Sequence, residues 1–241
     1  MKRGWFVTGT DTGVGKTLVA VSLLRGLAAA GYGAVGMKPV AAGCTLQDGE
    51  LRNNDALALQ QAGTRRLSYR EVNPVALEQA VAPHLAAARE RVAIRVTDIA
   101  RCARGLARPG EFLVVEGAGG WRVPLEGRAS MADLAVAIGL PVLLVVGIRL
   151  GCLNHALLSA EAIRRDGLDL AGWIAVRVDP HAALADEQIA TLGERLGCPH
   201  AGTVPWLGPT PPAHAAGCLR LDRLVGSEGP SSRTRAPGPE A

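Results

Sequence analysis

Residues 9–17 read Gly-Thr-Asp-Thr-Gly-Val-Gly-Lys-Thr, and their chemistry is that of an anion cradle. Glycines let successive backbone N–H groups turn into one concavity, and a helix starting behind them adds the partial positive charge of its N-terminus. Lys16 supplies a point charge for the β- and γ-phosphates of a nucleotide, and the Thr17 hydroxyl is a ligand for Mg²⁺. Five residues separate Gly9 from Gly15-Lys16-Thr17, one more than the common phosphate-loop spacing. A strand signal before the segment and a helix signal after it provide the context such a loop requires.

A phosphate loop works with an acid on a neighbouring strand. Phe112-Leu113-Val114-Val115-Glu116 is an uninterrupted apolar run ending in a carboxylate. Gly117-Ala118-Gly119-Gly120 follows, with backbone that can approach a phosphate closely. Lys38 closes a second short apolar run just before Pro39, where its ammonium can face charge on a transferred phosphoryl group. Asp55, in Leu51-Arg52-Asn53-Asn54-Asp55, reads locally as either a helix cap or a metal ligand, with the cap favoured.

Positioning these groups needs strands that end at one edge. Trp5–Thr8, Ala34–Lys38, Phe112–Val115, Pro141–Val146, Ala171–Val178 and Ala201–Val204 read as strands, several apolar on both faces as in a parallel sheet. Between them the spacing predicts helices over Thr17–Ala30, from Asn54 or Asp55 through Gln61, from Thr97 or Asp98 to Ala107, from Ser130 through Ile138, over Leu153–Arg165 and over Ala183–Leu196. Alternation of this kind is an α/β fold, a mostly parallel sheet with helices on both faces, and one domain over 1–225. Residues 226–241, rich in Gly, Pro and Ser, are expected to be a disordered tail.

Composition narrows the function. The chain has 241 residues, 48% hydrophobic and 20% charged, so it can bury a core without disulfides or a structural metal. Its five cysteines show neither C-x-x-C nor zinc-ligand spacing. A net charge of +4, with no run of cations, points away from nucleic acid. With no secretory signal or membrane-length apolar run, a cytoplasmic protein is expected. Of 26 Lys plus Arg only Lys2, Lys16 and Lys38 are lysine. Codon bias accounts for the arginines, and two of the exceptions stand in the two motifs where a compact ammonium suits a phosphoryl group.

From Trp5 to Leu207 the chain resembles the dethiobiotin synthetases. The shared landmarks include GTDTGVGKT (Gly9 to Thr17), KPVAAG (Lys38 to Gly43), LRNNDALALQ (Leu51 to Gln60), VNP (Val72 to Pro74), VEGAGGW (Val115 to Trp121), LGCLNHA (Leu150 to Ala156) and VPWL (Val204 to Leu207). The resemblance implies a P-loop NTPase fold and a Mg²⁺-dependent cyclo-ligase. Such an enzyme joins 7,8-diaminopelargonic acid and CO₂ at the expense of ATP, through a carbamate and a carbamic–phosphoric anhydride. It implies catalytic roles for Lys38, Lys16 and Thr12, and Mg²⁺ on Thr17, Asp55 and Glu116, which reverses the local preference for Asp55 as a cap. Nucleotide contacts would come from Gly13, Val14, Gly15, Lys16, Thr17, Leu18, Gly117, Ala118 and Gly119, and base contacts from Val176, Arg177, Pro205, Trp206 and Leu207. Substrate would meet Thr12, Lys38 and Ala42, and, across a homodimer, Gly151, Cys152, Leu153 and Asn154.

Two departures stand out: Ala42 replaces a usual serine, and Val176-Arg177 replaces a usual Asn-Asp. The rival reading is a partition- or septum-type switch ATPase. That group carries an extra lysine five positions before the loop lysine, where this chain has Asp11.

Overall fold

The computed structural model describes residues 3–208 and 214–225. Among these residues ten strands occur in chain order: β1 (Arg3–Gly9), β2 (Ala34–Met37), β3 (Val40–Ala41), β4 (Thr45–Gln47), β5 (Glu50–Arg52), β6 (Val75–Ala76), β7 (Phe112–Gly120), β8 (Val142–Ile148), β9 (Leu170–Arg177) and β10 (His200–Val204). The helices are α1 (Lys16–Ala29), α2 (Asn54–Ala62), α3 (Tyr69–Val72), α4 (Pro83–Glu90), α5 (Val96–Leu106), α6 (Met131–Ile138), α7 (Cys152–Arg165) and α8 (Ala185–Arg195).

Six strands form one sheet in the order β10-β9-β8-β1-β7-β2, and every pairing in it is parallel. β8 is buried along its whole length, as its unbroken apolar sequence requires of a strand covered on both faces. β1 lies between β7 and β8, so the chain leaves it at a point where neighbouring crossovers diverge. That is where open α/β sheets form their ligand crevice. Three adjacent strands, β1, β7 and β2, thus deliver the phosphate loop, Glu116 and Lys38 to one edge.

β1 and β7 approach so closely that a Cβ on Gly4 would sit 1.9 Å from the Leu113 carbonyl oxygen. Higher up, Val7 pairs with Glu116 but Gly9 pairs with Gly120. The extra residues on β7 form a bulge beside the phosphate loop, a common device for re-aiming groups at a site. The sequence reading ended this strand at Glu116. In the structure the bulge lets pairing resume at Gly120, so the glycines belong to the strand.

α2 is capped by Asn53, whose Oδ1 accepts from the Asp55 and Ala56 N–H groups at 3.0 and 3.3 Å. The cap expected at Asn54 or Asp55 therefore lies one or two residues earlier, and the Asp55 carboxylate is left for other work. α5 likewise starts at Val96 after an uncapped Arg95, with Thr97 and Asp98 inside its first turn. Ser130 caps α6 in a reciprocal box with Asp133. Residues 214–225 run back over α1 and β10. The Ala215 N–H donates to Ser22 Oγ at 2.7 Å and the Arg220 N–H to the Ala201 carbonyl at 2.8 Å. The tail expected to be disordered, 226–241, lies outside the described residues. No helix among the described residues is long and apolar enough to cross a membrane.

Candidate active site

The phosphate loop turns through Gly13 (φ 74°) and Gly15 (φ 89°), left-handed conformations that glycine adopts without a Cβ clash. Behind it, the Val14 side chain is buried. A Cβ on Gly9 or Gly147 would meet its methyls at 2.6 and 2.9 Å, so Val14 anchors the loop to the core and offers only backbone to a ligand. Lys16 Nζ donates to the Asp11 carbonyl at 2.7 Å, and the Arg149 guanidinium clasps the Asp11 carboxylate at 2.5 Å. Burial, and next the ammonium of Lys38, push the Lys16 pKa down to about 8.

Lys38, Asp55, Glu116 and Thr17 converge. Lys38 Nζ lies 2.5 Å from Glu116 Oε1 and 3.0 Å from Asp55 Oδ2, and Thr17 Oγ1 donates to the same Glu116 oxygen at 2.8 Å. Lys38 and Glu116 are almost fully buried, whereas the Asp55 side chain is 43% exposed. Desolvation opposes charge on Lys38, but the carboxylates of Glu116 and Asp55 outweigh it and hold its pKa above the ordinary lysine value. Lys38 is therefore a standing cation, and not a proton acceptor, at neutral pH.

Glu116 Oε2 is buried without a hydrogen-bond partner. An orphaned carboxylate oxygen carries a desolvation penalty that a hard cation would relieve. With the Thr17 hydroxyl and the Asp55 carboxylate close by, the donor set is all oxygen, which fits Mg²⁺. Two carboxylates and a hydroxyl are not the His/Cys clusters of zinc sites, and no group of three or more His, Cys, Asp or Glu forms a metal cluster among the described residues.

These groups open into a cavity of about 790 Å³. One wall is the loop (Thr12, Gly13, Gly15, Lys16, Thr17) together with Ala118 and Gly119. A second part of the lining is small and apolar, from Val40, Ala41, Ala42 and residues 80–83. Such a volume suits a charged head at the loop and an aliphatic body against the apolar lining.

Other expected residues lie outside that cavity. Gly117 is turned inward, where a Cβ would meet the Phe6 ring at 3.1 Å. Leu18 is half-buried in the first turn of α1 and packs on the core. Val176 sits under the phosphate loop, its methyl 3.0 Å from a Cβ built on Gly15, and Arg177 is paired with Asp186. Val204 pairs with Val176 across the sheet, which brings Pro205, the exposed Trp206 and Leu207 near Val176 and Arg177. Gly151 and Asn154 are exposed at the start of α7, Leu153 is half-buried, and the buried Cys152 thiol donates to Gln188 Oε1 at 3.0 Å. None of these four lines the cavity of a single chain.

A model of the AAA domain family matches residues 3–213. The chain is 53% identical to the ATP-dependent dethiobiotin synthetase BioD of Pseudomonas paraeruginosa (strain DSM 24068 / PA7), over 91% of this chain and 97% of that one. It is 49% identical to the enzyme of the same name from Cellvibrio japonicus (strain Ueda107), over 93% and 98%. Among solved structures, the septum site-determining protein MinD complexed with Mg-ADP from Pyrococcus horikoshii OT3 superposes with a TM-score of 0.53. It is 16% identical, covering 85% of this chain and 82% of that one, a likeness of fold alone.

Proposed function

The chain belongs to the ATP-dependent dethiobiotin synthetase family, and from that membership we infer that it closes 7,8-diaminopelargonic acid with CO₂ to dethiobiotin, consuming ATP and releasing ADP and phosphate. The observation that supports the site assignment is the meeting of Lys38, Asp55, Glu116 and Thr17 at the mouth of the phosphate loop.

The roles we assign to the residues agree with their surroundings. The amides of Gly13 to Thr17 and the Lys16 ammonium bind the phosphates. A phosphate arriving beside Lys16 offsets the burial that depresses its pKa, so the lysine binds as a full cation. Thr17, Asp55 and Glu116 hold Mg²⁺, which when bound neutralises phosphate charge. Lys38, permanently charged, stabilises the carbamate formed from one substrate amine and the charge that develops as its oxygen attacks the γ-phosphate. The second amine then attacks the carbamic–phosphoric anhydride and expels phosphate. Thr12, at the cavity rim, orients the substrate head, and Ala42 with its apolar neighbours takes the carbon chain.

The functional unit we propose is a homodimer, in which the start of α7, where Gly151 and Asn154 are exposed, reaches the substrate bound by the partner subunit. Leu150, immediately before Gly151, is 99% exposed in the single chain, apolar surface that such a contact would cover.

Purified protein supplied with diaminopelargonate, bicarbonate, Mg²⁺ and ATP will release phosphate in step with dethiobiotin. Phosphate release that ignores the diamine, with no dethiobiotin formed, would sink the assignment in favour of a switch ATPase.

A further inference from the structure

Tyr69 and Asn73 take no part in the reaction above, yet both are buried beneath it, 6% and 2% exposed. Their side-chain polar atoms take part in one circuit, and Asn73 Nδ2 also donates to the Val75 carbonyl at 3.1 Å. The Lys38 carbonyl accepts from Asn73 Nδ2 at 2.6 Å. Asn73 Oδ1 accepts from the Tyr69 hydroxyl at 2.9 Å. The Tyr69 oxygen in turn accepts from the Asn53 N–H at 2.7 Å. Asn53 Oδ1 accepts from the Asp55 N–H at 3.0 Å, and Asp55 Oδ2 accepts from Lys38 Nζ at 3.0 Å. The path leaves Lys38 at its backbone and returns to it at its side chain.

Part of this circuit serves the fold, since Asn73 satisfies the Lys38 and Val75 carbonyls. Burying an amide and a phenol is costly unless both are satisfied, and apolar residues of the same shape can be nearly neutral in their place. A closed set of directional bonds does something packing cannot: it fixes one atom pair relative to another. Here it ties the strand end that carries Lys38 to the helix cap that aims Asp55. A second bond steadies the same backbone, since the Lys38 N–H donates to the Val72 carbonyl at 2.8 Å. Because Pro39 has no N–H, Lys38 has no help from the next residue along.

We propose that Tyr69 and Asn73 are positioning residues that set the separation and orientation of the Lys38 ammonium and the Asp55 carboxylate. This rests on the reaction assigned above. Tyr69→Phe removes one oxygen and no apolar packing, and Asn73→Leu cuts the circuit at the Lys38 carbonyl. In each variant kcat is expected to fall roughly tenfold while KM for nucleotide stays within about twofold, because misplacement acts on the chemical step and not on phosphate binding.

A second arm needs no turnover. The chain has only three lysines, so protein labelled at lysine ε-carbons gives three NMR signals, with that of Lys38 identified by its loss in Lys38→Arg. The Lys38 signal is expected to move or broaden in Tyr69→Phe. A kcat within about twofold of wild type, or an unmoved Lys38 signal in the folded variant, overturns the proposal. Wild-type protein that makes no dethiobiotin overturns the assigned reaction instead, and the spectroscopic arm still decides whether Tyr69 positions Lys38.

Discussion

At the scale of single residues, Lys38 combines deep burial with two carboxylate partners and a pKa held above the ordinary value. Arginine keeps the charge but spreads it over a rigid planar fork that a pocket shaped for an ammonium cannot seat. Lys38→Arg is expected to lose roughly 10²-fold in kcat while nucleotide still binds, read by steady-state rates beside a direct nucleotide titration. Val176 makes a different statement. Its side chain has no hydrogen-bonding atom, and the neighbouring Arg177 is engaged by Asp186. If the base lies against Val176, that side chain offers no donor or acceptor to its edge, so kcat/KM for GTP or CTP should fall within about tenfold of that for ATP. A preference beyond that would place a base-reading group elsewhere.

Residue-level legibility followed from how local each signal was. Lys16 and Thr17 stand in a contiguous motif, and Lys38 and Glu116 each end an apolar run, so the logic of strand ends exposes them. Asp55 was ambiguous because Asn53, Asn54 and Asp55 are all good caps by composition, and only the geometry assigns the cap to Asn53. Tyr69 and Asn73 gave no chemical signal of their own. An Asn before Pro reads as a turn, and the contacts of Asn73 with Lys38 and of Tyr69 with Asn53 are tertiary ones that no short window of sequence contains.

At the scale of elements, the long strands and helices were legible because each has enough residues to show a period. The two- and three-residue strands β3 to β6 and the four-residue α3 have none. β3 and β6 form because Lys38, Pro39 and Ala41 find backbone partners in Val72, Val75 and Leu77, whereas β4 and β5 pair only with each other. One connection between elements has a measurable pH signature. Arg65, after α2, grips Glu111, before β7, through Nε at 3.1 Å and Nη2 at 2.9 Å, and also donates to the Leu106 carbonyl at 2.7 Å. That hydrogen bond, outweighing burial, lowers the Glu111 pKa. The stabilisation is therefore present above the carboxyl value of the unfolded chain and is lost as the pH falls through the lower folded value. Arg65→Met should cost about 1 kcal/mol at pH 7 and flatten the acid limb of a melting-temperature profile. The β1–β7 contact is less forgiving. With the Leu113 oxygen 1.9 Å from any Cβ, Gly4→Ala should cost about 3 kcal/mol or more in denaturant unfolding.

At the scale of the whole molecule, the cavity is lined by one chain, and residues 151–154, at the turn into α7, take no part in that lining. If that turn completes the partner's site, assembly and turnover are coupled. Leu150→Glu should then move the protein towards monomer in sedimentation and lower kcat/KM for the diamine more than nucleotide affinity. A monomer with full activity would remove the partner subunit from the reaction.

The central placing of β1 has a consequence in time as well as space. Phe6 pairs with Val115 on one side and Val142 on the other, so β1 is flanked by strands made more than a hundred residues after it. At the usual pace of synthesis it waits roughly ten seconds for its first strand partner in the growing chain. Until β7 emerges, the phosphate loop has neither its buried carboxylate nor a sheet beneath it, and its apolar strand is open to chaperones and proteases. Ribosome-bound chains halted before residue 112 should be cut rapidly within residues 3–9, and chains halted after the sheet is complete should resist.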